Sequence, residues 1–155
     1  MTIRPASEDD VPYLVELNGI KDEAYFRGVI KEMHRGESVL LVAVDDDNYI
    51  VGAVVLKYYG TRFQNYPAIQ DLRVLERVRG QGIGSELIAV CEHLAALRGY
   101  NVIGISVNPI LNSRARRLYE RLGYVLESKT PYLDGYVDGQ ENWVVNLVKR
   151  LNSVC

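Results

Sequence analysis

Cysteine is scarce in this chain of 155 residues: Cys91 and Cys155 are the only two. They offer neither a metal-ligand spacing nor a disulfide framework. Cys91 falls within an apolar helical pattern and reads as a small buried hydrophobe, while Cys155 ends the chain as a frayed thiol. Histidine is as rare. His34 and His93 each lie in a helical pattern without a catalytic partner, so no metal site is expected. A basic excess is missing too, since Lys and Arg number 18 against 20 Asp and Glu, a formal charge of −2. Broad nucleic-acid binding, which needs many cations against phosphates, is thereby disfavoured, though a local basic pocket for one anionic cofactor is not. No stretch approaches the ~20 apolar residues of a membrane span. The opening MTIRPASEDD turns acidic at once and lacks the apolar run of a signal peptide. The expectation is a cytoplasmic, soluble protein of one domain, residues 1–155, long enough to bury a core without staples.

No repeat, low-complexity tract or linker interrupts the pattern. Thr2 to Arg4 reads as a short strand, and Ser7 with Asp10 as a capping-box start for a helix to about Asn18. A second helix is expected from Asp22 to His34. The β-rich runs Ser38–Val44 and Tyr49–Tyr58 flank the acidic turn Asp45-Asp46-Asp47-Asn48, a hairpin signal. After a loop, Gly60 to Pro67, come a strand Ala68–Leu75, a helix Gly82–Arg98 and an apolar strand Asn101–Val107. A helix Ser113–Leu122 and strands Tyr124–Ser128 and Trp143–Lys149 complete the order, with Lys129 to Gln140 reading as turns. Helices on both faces of a mixed sheet follow.

The most informative segment runs from Asp71 to Gly84, DLRVLERVRGQGIG: a strand, a turn, a glycine-rich loop and a helix start. Glycines let main-chain N–H groups converge on a ligand, and the helix N-terminus adds partial positive charge, a combination suited to phosphate. A glycine-rich turn without a ligand is the plainer alternative. A dinucleotide fingerprint starting at Gly80 needs Gly or Ala where Ser85 stands and an acid after the next strand, where Ser106-Val107-Asn108 stands. A Walker loop needs Gly-Lys-Ser/Thr, and the loop has no Lys.

Arg79-x-x-Gly82-x-Gly84 does resemble the acyl-coenzyme A loop of the GNAT superfamily of N-acetyltransferases. Asn112-x-x-Ala115-x-x-Leu118-Tyr119-Glu120-x-x-Gly123-Tyr124 resembles that superfamily's second motif, and Ile69–Val74 its cofactor-facing strand. The resemblance implies an α/β (α+β) fold: a mixed, mostly antiparallel sheet of six to seven strands, about four flanking helices and a splay between the two central strands. It implies acetyl-CoA as co-substrate. Main-chain N–H groups of the loop (Val78, Arg79, Gly80, Gln81, Gly82, Ile83, Gly84, with Ser85) would hold the pyrophosphate, and the Leu72, Arg73 and Val74 strand would pair with the pantetheine arm. Arg77, Arg79, Arg114, Arg116 and Arg117 are candidates to meet phosphates, the last three reading equally well as a solvated helix face. Asn112 would orient the cofactor arm, or simply cap its helix.

Acetyl transfer to an alkyl amine needs the neutral amine, which at pH 7 costs roughly 4 to 5 kcal/mol. Asp71, on the strand expected beside the thioester, is the candidate base; a structural or substrate-orienting carboxylate is the equal alternative. Leu72 and Val74 share a face opposite Asp71 and Arg73, and periodicity does not say which face is active. Tyr119 stands where the superfamily often places a tyrosine acid for the leaving thiolate, although it also lies on an apolar stripe that reads as core. An N–H near Leu72 would polarise the thioester carbonyl. For the acceptor, Tyr25, Tyr59, Asp71 and Tyr132 are the substrate-binding candidates, among other aromatics and acids that suit a cationic amine. The resulting expectation is direct acetyl transfer to a primary amine of a small molecule through a ternary complex. A protein or peptide acceptor and a non-catalytic acyl-CoA sensor are the alternatives, and the resemblance leaves room for a homodimer.

Overall fold

The strands are β1 (Thr2–Pro5), β2 (Ser38–Val44), β3 (Ile50–Lys57), β4 (Ala68–Val74), β5 (Val102–Val107), β6 (Val125–Leu126), β7 (Tyr132–Val137) and β8 (Gln140–Arg150). The helices are α1 (Val11–Asn18), α2 (Glu23–His34), α3 (Ile83–Leu97) and α4 (Ser113–Arg121). This computed structural model describes residues 1–61, 63, 65–127 and 131–152; the expectations for Ser128, Lys129 and Cys155 fall outside them. No helix among the described residues is long and apolar enough to cross a membrane.

The sheet runs β1-β2-β3-β4-β5-β8-β6, with β7 pairing the first half of β8. All pairings are antiparallel except β4 with β5. Apart from Ser38 and Lys57 at their ends, β2 and β3 carry no polar side chain, as suits strands covered on both faces. Leu41, Ala43, Val54 and Leu56 pack under α3, while Leu40, Val42, Ala53 and Val55 pack under α1 and α2.

Two departures from the sequence reading matter. Tyr132–Val137 is a strand, not part of a turn segment, and β8 begins at Gln140, not at Trp143. The sheet therefore has eight strands among the described residues rather than six or seven. The expected splay is present: β4 and β5 pair only at Ala68↔Gly104 and Ile69↔Ile105.

The entry to α1 rests on one buried carboxylate. Asp10 accepts from Arg4 Nη1 and Nη2 at 2.8 and 3.0 Å and from the Ser7 amide at 2.8 Å. The Arg4 hydrogen bonds hold its pKa below the ordinary carboxylate value, against the opposing effect of burial. This contribution to stability is complete at neutral pH and fades as pH falls below about 4 toward the folded-state pKa. Asp10→Ala should cost about 1.5–3 kcal/mol. Thermal melts from pH 7 to 3 should show the difference from the parent narrowing in acid; a constant difference would contradict this.

Candidate active site

The glycine loop follows from local geometry. After β4 a 3-10 turn, Glu76–Val78, redirects the chain. Gly80 and Gly82 then adopt left-handed φ values of 82° and 84°, which glycine takes without Cβ strain. Gly82 caps α3 without a side chain. Next to it, Ile83 is buried against Gly52 of β3, where an added Cβ would lie 3.1 Å from Ile83 Cγ2. Close packing on β3 thus fixes the start of the helix.

Among the described residues, the six consecutive amides Gly80 to Ser85 have no acceptor in the protein; the first helical bond is Glu86 N–H to Gly82 O at 3.0 Å. The expectation that the set starts at Val78 is corrected. The amides of Val78 and Arg79 close the 3-10 turn on Leu75 O and Glu76 O at 3.1 and 3.2 Å. Left-handed residues beside a helix N-terminus make a concave cluster of N–H groups that favours an anion. A Cβ at Gly80 or Gly82 would meet nothing within 4 Å among the described residues.

The loop opens beside the splay. From Gln70 onward, the edge of β4 that faces β5 carries no ladder, so Leu72, Arg73 and Val74 border the opening. A bulge aims their side chains. Val55 opposes Gln70 and Ala53 opposes Arg73, leaving Asp71 and Leu72 to oppose Val54 alone, and Asp71 has φ 56°. Leu72 and Val74 pack with the α3-side core, whereas Gln70, Asp71 and Arg73 reach elements on the α1–α2 side.

There the Tyr25 hydroxyl donates to Asp71 and accepts from Gln70 Nε2 at 2.9 Å. Burial, then the Asp71 charge, pushes the Tyr25 pKa upward. Tyr25 is placed by its helix, whose start is capped by Asp22 accepting from the Tyr25 amide at 2.9 Å. On the opposite lip, the Tyr132 hydroxyl lies 3.0 Å from Ser106 Oγ and 2.6 Å from Asn146 Oδ1. Ser106 sits one residue past the last β4–β5 pair and faces away from the α3-side core.

Tyr119 has a buried ring, edge-on to Tyr124 at 6.2 Å. Its hydroxyl has no hydrogen-bond partner among the described residues and is not sealed from solvent. Burial pushes its pKa up to about 12, with the Arg73 charge opposing, so the phenol stays protonated and able to donate at neutral pH.

The remaining candidates separate. Asn112 caps α4, accepting from the Ala115 amide at 3.4 Å. Arg114 is exposed on the first turn of α4, and Arg116 is engaged by Glu120 at 2.8 Å. Tyr59 is not brought to the site. It follows β3, whose last residue pairs with Ala68, and so lies at the closed end of the splay, 61% exposed. Gln70, Ser106 and Asn146 belong to the site without having been singled out beforehand. A polar residue interrupting an apolar strand, as in VIGISV and VVNLV, was the available signal.

Comparison with known proteins agrees with this geometry. The model of the acetyltransferase (GNAT) family matches residues 6–124. N-alpha-acetyltransferase 30 of Schizosaccharomyces pombe is 33% identical over 95 residues, 59% of this chain and 61% of that protein. Acetyltransferase Atu2258 of Agrobacterium fabrum is 36% identical over 80 residues, 52% of this chain and 53% of that one. The chain thus spans about half to six tenths of these curated relatives. Among solved structures, yncA from Salmonella typhimurium, determined with its cofactor acetyl-CoA, superposes with a TM-score of 0.80. That match covers 100% of this chain and 96% of yncA at 18% identity, a likeness of fold.

Proposed function

Because the chain belongs to the acetyltransferase (GNAT) family, we propose that it transfers acetyl from acetyl-CoA directly to the primary amine of a small molecule, in a ternary complex. The observation that carries the reading is the run of unpartnered amides from Gly80 to Ser85, opening beside the unpaired edge of β4. Those amides suit the pyrophosphate, and the β4 edge at Leu72 to Val74 suits an amide-bearing arm. The donor supplies an activated acetyl thioester. The chain's own groups then handle protons. Asp71 takes the proton from the acceptor ammonium, directly or through water, and the amine nitrogen bonds to the acetyl carbon as the C–S bond breaks. The Tyr119 hydroxyl gives its proton to the departing sulfur, and the second proton lost from the acylated nitrogen restores the phenol through solvent.

A covalent acyl-enzyme has no support among the described residues. Cys91 is fully buried in α3, and burial pushes its thiol up to about 12. A small acceptor is favoured because side chains roof the α2-side face of β5. Phe63 lies on Gly104, where an added Cβ would come within 2.6 Å of its ring, and Tyr132 lies on Ser106. Tyr66 donates to Glu127, tying the loop before β4 to the segment after β6. A cytoplasmic setting goes with this reading, since acetyl-CoA is available there. The N-alpha-acetyltransferase of Schizosaccharomyces pombe, similar over 59% of this chain, supports a peptide amine as the second reading.

Thiol release from acetyl-CoA across small amines and peptides tests both. Asp71→Asn should lower kcat/KM for the acceptor by about a hundredfold and leave acetyl-CoA affinity unchanged. Its rate should then climb about tenfold per pH unit toward the amine pKa near 10, because only the free amine remains usable. A parent-like rate and profile would remove Asp71 as the base.

A further inference from the structure

Charges around the acceptor side of the splay do not balance. Asp71 is the acid there, already engaged by Tyr25. Glu32 sits near Tyr25 but is bound to Ser38 Oγ at 2.7 Å and to Lys57 at 3.7 Å. Against these stands Arg73, half-buried and without a carboxylate partner among the described residues. Its Nε donates to Asn18 O at 3.4 Å and its Nη1 to Leu72 O at 3.1 Å. A guanidinium has about five N–H groups, so about three find no acceptor among the described residues. Lys21, on the α1–α2 turn, adds a second cation without an ion pair among the described residues, its Nζ 4.9 Å from the Tyr25 ring centre.

A half-buried cation facing only carbonyls leaves much of its desolvation uncompensated, which an arriving anion would offset. Arg73 is also well placed. It lines one small cavity with Asp71, Leu14 and Phe26, and its charge is felt at the Tyr119 hydroxyl. Asp71 and Arg73 stand two residues apart and reach the same side of β4, which keeps their Cα atoms within roughly 7 Å of each other. That separation suits an amine on one group and a carboxylate on the other, a few bonds apart.

We propose that the acceptor is an amino acid, with its amine at Asp71 and its carboxylate on the Arg73 guanidinium. This deepens the acetyltransfer reading and rests on it. A polyamine would meet Arg73 and Lys21 as like charges, and an internal peptide carbonyl would leave the guanidinium without its anion.

The test measures thiol release with free amino acids, each beside its own carboxamide, and with spermidine. In the parent protein kcat/KM for the acid should exceed that for the amide by about ten- to a hundredfold, the range of a charge-assisted pair. Arg73→Gln should collapse this ratio toward one by raising the KM of the acid far more than that of the amide, and Arg73→Lys should keep part of it. Amides or spermidine used as well as the acids by the parent protein would overturn the proposal while leaving acetyl transfer intact. So would an Arg73→Gln variant that loses both rates equally, which would make Arg73 only a clamp on Asn18. If Arg73→Gln does not fold, the parent acid-to-amide ratio decides alone. Silence of every acceptor with acetyl-CoA bound would instead overturn the transfer reading itself, and this one with it.

Discussion

Replacing Tyr119 by Phe is expected to lower kcat for acetyl transfer by about a hundredfold or more, the usual worth of a positioned general acid. Acetyl-CoA affinity should stay within about twofold and the melting temperature close to the parent's. The reasons are local. The ring supplies the packing and is retained, while the hydroxyl has no partner to lose among the described residues. Phe therefore removes a proton donor and little else. The phenol's pKa near 12 adds a second signature. The donor stays protonated across the working range, so no alkaline loss of kcat due to this tyrosine should occur below about pH 11. Steady-state kinetics on Tyr119→Phe settles the matter, and a parent-like kcat removes Tyr119 as the acid.

The second large effect is expected at Gly82. Asp there should weaken acetyl-CoA binding by about a hundredfold or more without unfolding the protein. A new Cβ meets nothing within 4 Å among the described residues, and Asp tolerates left-handed φ better than most residues, at a cost of about 1–2 kcal/mol. What it brings is a negative charge amid the unpartnered amides that we propose meet the diphosphate. Gly82→Asn has nearly the same shape and φ tolerance but no charge, so it should lose much less. Calorimetric titration of both variants with acetyl-CoA makes the comparison; equal losses would mean that sterics, not anion binding, govern this position.

Much of the fold was legible because its signals are local. The 3.6-residue recurrence of Ile83, Leu87 and Cys91 and the glycines around it placed α3 and the loop, and both are where the periodicity put them. The misread segment shows where local signals mislead. Asp134-Gly135 lies inside β7, where Gly135 takes φ 79° and the register with β8 shifts between Leu133 and Tyr136. That dipeptide marks an irregularity within the pairing, while Asp138-Gly139, with φ 51° and 78°, makes the actual reversal. Both look alike on paper.

The site was legible in its parts and not in its assembly. Asp71 and Tyr25 were each identifiable, but their contact depends on a bulge that puts neighbouring Gln70 and Asp71 on one face, against strict alternation. No period-2 pattern encodes that. Tyr59 and Tyr25 looked equivalent as aromatics near the acceptor, and only strand order separates the closed end of the splay from the open one. Availability of the loop amides was also invisible, because the 3-10 turn that takes up Val78 and Arg79 arises from backbone geometry rather than residue type.

The two-rung seam at Ala68–Gly104 and Ile69–Ile105 is all that stitches the four leading strands edge to edge with the trailing four. Such a join behaves like the rivet of a pair of shears: a small tilt there is magnified with distance, and Asp71 and Ser106 ride on opposite blades. The gap spanning them is therefore framed at its far end by that seam and floored by the core that both halves share with α3.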